Sequence, residues 1–233
     1  MAIGAVRVLG DVIVAPQQAW DQVSQRGRWV WPLALLAVAT VVAWSAYYSR
    51  VDIVWLQDYL LAGSGDLQGR ELKLARDLMG PGLLALVTII SSLVVSAVFM
   101  LITAGYLSLV ARMQRVERSG PSWIVFAAWL AVPEAVALLL TAVRLALGSN
   151  PQVLPEAANP VALSQLLGLA GDSPWLSLAG AVGLQTLWMI ALCIIGVSRW
   201  MKISAVRAAL IVTVPVLMFY GTWALIILAG QAA

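Results

Sequence analysis

Residues 122–147 read SWIVFAAWLAVPEAVALLLTAVRLAL. The run is long enough to span a bilayer as a helix, because about 20 apolar residues at about 1.5 Å rise cross a hydrocarbon core of about 30 Å. In its middle stand Pro133 and Glu134, a helix breaker followed by the one carboxylate in any apolar stretch of the chain. An acidic residue at the centre of a spanning helix costs about 2.5–3.5 kcal/mol on insertion scales, so it faces a bundle interior or a wet cavity by default.

The rest of the sequence has the same character. Of its 233 residues, 62% are hydrophobic and 11% charged. Soluble domains run at about 45–50% and about 25%. Four further stretches meet the spanning length, which gives five spans at about 29–49, 82–110, 122–147, 175–198 and 204–230. Their unbroken apolar runs lack the alternation of a membrane barrel. The expected fold is an all-α polytopic transmembrane bundle of five spans with short interfacial helices. The expected domains are an N-terminal interfacial amphipathic arm, 1–28, and a five-span membrane domain, 29–233.

Basic residues set the orientation. Arg7, Arg26, Arg28, Arg112, Arg115, Arg118, Arg199, Lys202 and Arg207 fall on one side of the five spans. The other side has Arg50, Arg70, Lys73, Arg76 and Arg144, the loop members mixed with Asp52, Asp58, Asp66, Glu71 and Asp77. That asymmetry predicts a multi-pass protein of a bacterial inner (cytoplasmic) membrane, with its N-terminus cytoplasmic and its C-terminus periplasmic. No cleavable signal peptide is expected, since Arg7 and Asp11 interrupt the first apolar run.

In the arm, Val8, Leu9, Val12 and Ile13 share one helical face; Pro16 then starts a second short helix carrying Trp20. Trp20, Trp29, Trp31 and Trp175 are the candidate interfacial anchors. The arm reads either as lying on the membrane or as packed on the bundle. In the loop 50–80, Gly63-Ser64-Gly65 separates a segment with Trp55 and Tyr59 from a charged surface helix, Leu67–Met79. Val161–Ala170 is too short to span and reads as a surface helix in preference to a re-entrant piece. Small residues four apart mark candidate helix contacts at Ala39/Ala43, Ser92/Ser96, Ala127/Ala131/Ala135 and Ala179/Gly183. The last four spans suggest a loose repeat of hairpins, each returning through a helix with a mid-span proline, Pro133 and Pro215.

Chemistry centres on Glu134. The candidate intramembrane polar site joins Glu134 and Pro133 with Ser92, Ser96 and Gln185. Two readings stay open: a proton-linked or head-group-contacting site, or a neutral acid whose hydrogen bonds pin span three. Enzymatic function is not expected. The chain has no histidine, which removes Ser-His catalysis and His-based metal sites, and the spans hold no second acid. Cys193, the single cysteine, reads as a packing residue. No catalytic residue, metal site or cofactor is expected, and no nucleic-acid partner.

Pro16-Gln17-Gln18-Ala19-Trp20, the passage from Gly120-Pro121-Ser122-Trp123 to Pro133, and that from Gln185-Thr186-Leu187-Trp188 to Pro215 together resemble bacterial members of the Yip1 family. The resemblance implies a five-span membrane protein. Eukaryotic relatives associate with Rab GTPases, but their Asp-Leu-Tyr-Gly-Pro signature and long cytosolic arm are absent here, so Rab GTPase binding is not carried over. The leading functional expectation is a non-enzymatic inner-membrane partner or scaffold in an envelope or membrane-organisation complex. Its partners would be membrane lipids and a membrane or envelope protein, or further copies of itself. The alternative is a lipid-handling (scramblase-like) or small-solute transport protein that uses the site around Glu134.

Overall fold

The computed structural model describes residues 2–62, 68–117 and 120–232. The arm forms α1 (Ala2–Val14) and α2 (Pro16–Arg26), with Pro16 at the start of the second helix, where its missing N–H costs nothing. The first span is α3 (Val30–Tyr48), followed by α4 (Ile53–Leu61) and α5 (Arg70–Leu78). The second span, α6, runs Pro81–Met113, and the third divides into α7 (Gly120–Trp129) and α8 (Val132–Leu147). Three short helices come next, α9 (Pro155–Ala158), α10 (Leu163–Leu166) and α11 (Leu176–Ala181). The last spans are α12 (Leu184–Met201) and α13 (Ala205–Ala232). Counting α7 and α8 as one segment, five segments are long and apolar enough to cross a membrane. The protein is therefore an all-α, multi-pass membrane bundle. The turn Gly63-Ser64-Gly65 lies outside the described residues.

Span three is interrupted. The Leu130 N–H reaches the carbonyls of Phe126 (3.3 Å) and Ala127 (3.2 Å), and Ala131 N–H that of Ala128 (3.1 Å), so α7 ends by tightening. Pro133 has no N–H and its ring crowds the carbonyl four residues back, which is why the helix restarts at Val132 instead of continuing. Pro215, by contrast, sits inside an unbroken α13, so the two prolines of the suggested repeat act differently.

The fourth span begins later than the sequence suggests. Residues from Trp175 belong to α11, and α12 starts only at Leu184. The cause is backbone pairing: Leu163 N–H donates to the Val182 carbonyl (2.7 Å) and Leu184 N–H to that of Val161 (3.0 Å). Gly183 makes this crossing feasible, because a Cβ there would stand 2.5 Å from the Val161 carbonyl oxygen. Of Val161–Ala170, only Leu163–Leu166 is helical, with Leu166 and Leu167 exposed.

Trp20 does not anchor at the membrane surface. It is 2% exposed and stacks on Phe126 with ring centroids 4.1 Å apart, edge-on to Trp200. Its Nε1–H donates to the Leu192 carbonyl (2.9 Å), and Trp200 Nε1–H donates back to the Trp20 carbonyl (3.1 Å). Gly196 supplies the space, since a Cβ there would lie 2.4 Å from the Phe126 ring and 2.7 Å from Trp20. Arg199 closes the contact on Asp21. Val8, Leu9 and Val12 also pack on this core, whereas Ile13 is exposed. Among the other tryptophans, Trp29 and Trp31 are exposed and Trp175 is half-buried.

Buried aromatic residues gather toward the two ends of the bundle. At the arm end, Trp20, Trp123, Phe126, Val197 and Trp200 pack with Ala104 and Leu107 of α6. At the opposite, cap end, Tyr47, Leu56, Leu145 and Ala158 form a smaller cluster. There Tyr47 O–H donates to the Val153 carbonyl (2.7 Å), and Asp52 caps α4. Between them α3 packs closely along α8 through Leu36, Ala39 and Ala135, with Leu35, Ala131 and Leu138 against them, the close approach that small residues permit. On α6 the buried face is Ala104, Leu107 and Ala111, while Ser92 and Ser96 stay half-buried.

Trp20→Ala is expected to cost about 3–5 kcal/mol of stability, the range for emptying a buried aromatic site. Trp31→Ala, at an exposed position, should stay within about 0.5 kcal/mol. Reversible unfolding in mixed micelles checks the contrast, and equal losses would contradict a buried, structural Trp20.

Candidate functional site

The break in span three places Glu134 in the first turn of α8, with Pro133 beside it fully buried. A helix N-terminus carries partial positive charge, which favours a carboxylate there by about 0.3–1 kcal/mol. The side chain of Glu134 is nevertheless exposed, and the carboxylate has no hydrogen-bond or ion-pair partner among the described residues.

It opens onto two cavities. The larger, about 530 Å³, is an apolar groove in the arm-side half, walled by α3, α6, α7, α12 and α13. Leu36, Phe99, Leu130 and Ile190 are typical of its lining; Ser96, Thr103 and Tyr106 are its hydroxyl residues. Tyr106 O–H is already used, donating to the Ile211 carbonyl (2.8 Å) and tying α6 to α13. Farther along, Phe99 meets Phe219 edge-on at 6.1 Å. Tyr220 on α13 lies within electrostatic reach of Glu134.

The smaller cavity, about 190 Å³, lies toward the cap end and is more polar for its size. Glu134, Thr141, Asn159, Gln185 and Trp44 line it. Thr141 Oγ1–H donates to the Ala137 carbonyl (2.9 Å), and Asn159 accepts from Val161 N–H (3.1 Å). Two atoms are left over: Gln185 Oε1 and Trp44 Nε1 are buried without a hydrogen-bond partner. Lys and Arg are absent from the lining of both cavities among the described residues. Arg144, the cation on α8, is committed elsewhere. Its Nη1 donates to the carbonyls of Ala157 (2.6 Å) and Ala158 (3.1 Å) and its Nη2 to Gln165 Oε1 (2.7 Å), which fixes the cap.

Of the residues singled out in sequence, Glu134, Ser96 and Gln185 come together around the cavities, and Pro133 sets their geometry. Ser92 lines neither. Trp44, Thr103, Thr141 and Asn159 were not legible as site residues. Trp44, Thr103 and Asn159 approach Glu134 from other elements, so no helical spacing links them in sequence, whereas Thr141 lies on α8 seven residues, or two turns, beyond Glu134, a spacing that could have marked it. Among the described residues no group of three His, Cys, Asp or Glu side chains could hold a metal ion.

Exposure at 134 beside full burial at 135 gives a direct check. With Cys193 replaced by Ser, Glu134→Cys should react with an uncharged, membrane-permeant maleimide roughly tenfold faster than Ala135→Cys, since thiol reactivity follows access. Equal slow reaction at both would contradict an open carboxylate site.

No curated protein and no solved structure matches the chain. The family model of the Yip1 domain matches residues 10–226, a stretch that includes the arm helix with Trp20, the first four spans, most of the fifth and the lining of both cavities. The chain belongs to the Yip1 domain family of membrane proteins.

Proposed function

We propose that this protein is a non-enzymatic lipid-handling protein, whose groove takes up the chains of a membrane lipid and whose central carboxylate meets the polar part. The observation that carries this reading is the junction at Glu134: one unpartnered carboxylate bounds both an apolar groove and a more polar chamber. Such a pair of compartments fits an amphiphile end to end. Pockets that take small amphiphiles are largely apolar with a few placed polar groups, as here. A half-helix terminus at mid-membrane is also the arrangement by which discontinuous spans meet polar guests. The non-enzymatic part of the reading is supported by the linings, which among the described residues set no second acid beside Glu134, while Cys193, the thiol in the groove wall, is buried. In this reading the arm end, rich in Lys and Arg, faces the cytoplasm of a bacterial cell and the cap faces the periplasm.

A second reading, a partner or scaffold in an envelope complex, is favoured by α6. The most apolar stretch of α6 has no buried residue, and that of α13 is almost wholly unburied. Those faces are available to a protein partner or a second copy as well as to lipid.

Reconstitution separates the two. In liposomes with fluorescent phospholipid in one leaflet, the wild type should speed exchange between leaflets. Thr103→Trp and Ala97→Phe, which fill the groove, should each cut that rate by about tenfold, equivalent to about 1.4 kcal/mol. Ser92→Ala should leave it unchanged. Wild type at the protein-free rate would overturn the lipid-handling reading, and a stable stoichiometric complex recovered through α6 would then favour the second.

A further inference from the structure

We infer that the small cap-side chamber recognises an ammonium group, and that its guest is an aminophospholipid whose chains lie in the adjoining groove. This rests on the lipid-handling reading and names the lipid class. The chamber is electrically one-sided. Among the described residues it is lined by the Glu134 carboxylate and no cation, and Arg144 is held away by its three hydrogen bonds to the cap. A head group carrying an anion alone would meet like charge with no side-chain cation to offset it, whereas a zwitterion brings its own cation. An ammonium would supply the missing partner, and charge-assisted N–H···O bonds are the strong ones.

The leftover polar atoms point the same way. Gln185 is 7% exposed, and its Oε1 is an acceptor without a donor. An ammonium carries up to three donors, enough for the carboxylate and one further acceptor. Trp44 contributes twice: an indole is the best aromatic partner for a cation, and its unpartnered Nε1–H can donate to an ester or phosphate oxygen of the same head group. Buried polar atoms without partners each cost about 1–3 kcal/mol, so two in one chamber mark a place that a polar guest completes.

The guest is a lipid and not a free amine because Glu134 also bounds the groove. In such a guest the ammonium meets Glu134, the phosphate stays in the chamber where Trp44 Nε1–H can donate to it, and the chains run along the apolar groove of about 530 Å³. Phosphatidylethanolamine chemistry satisfies both compartments.

The test uses the full chain in nanodiscs or mild detergent, with lipid retention read by native mass spectrometry. Phosphatidylethanolamine, phosphatidylglycerol and diacylglycerol with identical chains are offered in competition. The expected result is about tenfold preference for phosphatidylethanolamine over phosphatidylglycerol, the worth of one charge-assisted hydrogen bond. Glu134→Gln, isosteric and uncharged, should abolish that preference, and Trp44→Phe should weaken it; Ser92→Ala should leave it unchanged. Equal retention of all three lipids, lost together on Thr103→Trp, would overturn the ammonium assignment while leaving the groove reading intact. Retention insensitive to Thr103→Trp and Ala97→Phe would overturn both. Displacement by free ethanolamine as effective as by the lipid would overturn the choice of a lipid guest.

Discussion

The interruption of span three at Leu130–Ala131 is the constraint on which the rest of the membrane domain depends. In hydrocarbon an unpaired backbone group has no water to turn to, so a helix breaks only where protein or a wet cavity surrounds the gap. Here the gap is enclosed by α3, α6 and α12, and α8 restarts against α3 through Ala39 and Ala135. That restart puts Glu134 at a positive helix end and between two compartments. Without Pro133 a continuous helix would carry the acid at the same depth but without the free first-turn N–H groups that favour its charge.

The two ends of the bundle flank the groove. Trp20, Phe126 and Trp200 fasten the arm, α7 and α12 into one block with reciprocal tryptophan hydrogen bonds. Arg144 and Tyr47 fasten the cap by donating to loop carbonyls. Tertiary order at both ends leaves space between α6 and α13 that lipid-like chains can enter, with Tyr106 and Phe99 as the local contacts across it.

Much of this was legible in the chain itself. Length and hydropathy set the five spans, and the isolated acid beside a proline marked the site, because both signals are local and energetically large. What escaped was set by contacts between distant segments. A tryptophan at a helix face looks the same whether it meets head groups or a Phe126 ring, so Trp20 read as an anchor. Residues 175–183 are as apolar as those that follow, and only the pairing of Val182 and Gly183 with residues 161–163 shows where α12 begins. The small-residue rule located the α3–α8 contact at Ala39 but misplaced that of α6, whose interface is Ala104, Leu107 and Ala111. Trp44 and Asn159 belong to the chamber through tertiary placement alone.

The central claim is that Glu134 meets the polar end of a lipid at the junction of groove and chamber. A density map of the protein in nanodiscs containing phosphatidylethanolamine tests it most directly. Elongated density is expected along the groove between α6 and α13, ending in a head-group feature within hydrogen-bond distance of the Glu134 carboxylate. A groove closed by protein side chains, with Glu134 hydrogen-bonded to its own bundle and no lipid density beside it, would contradict the account.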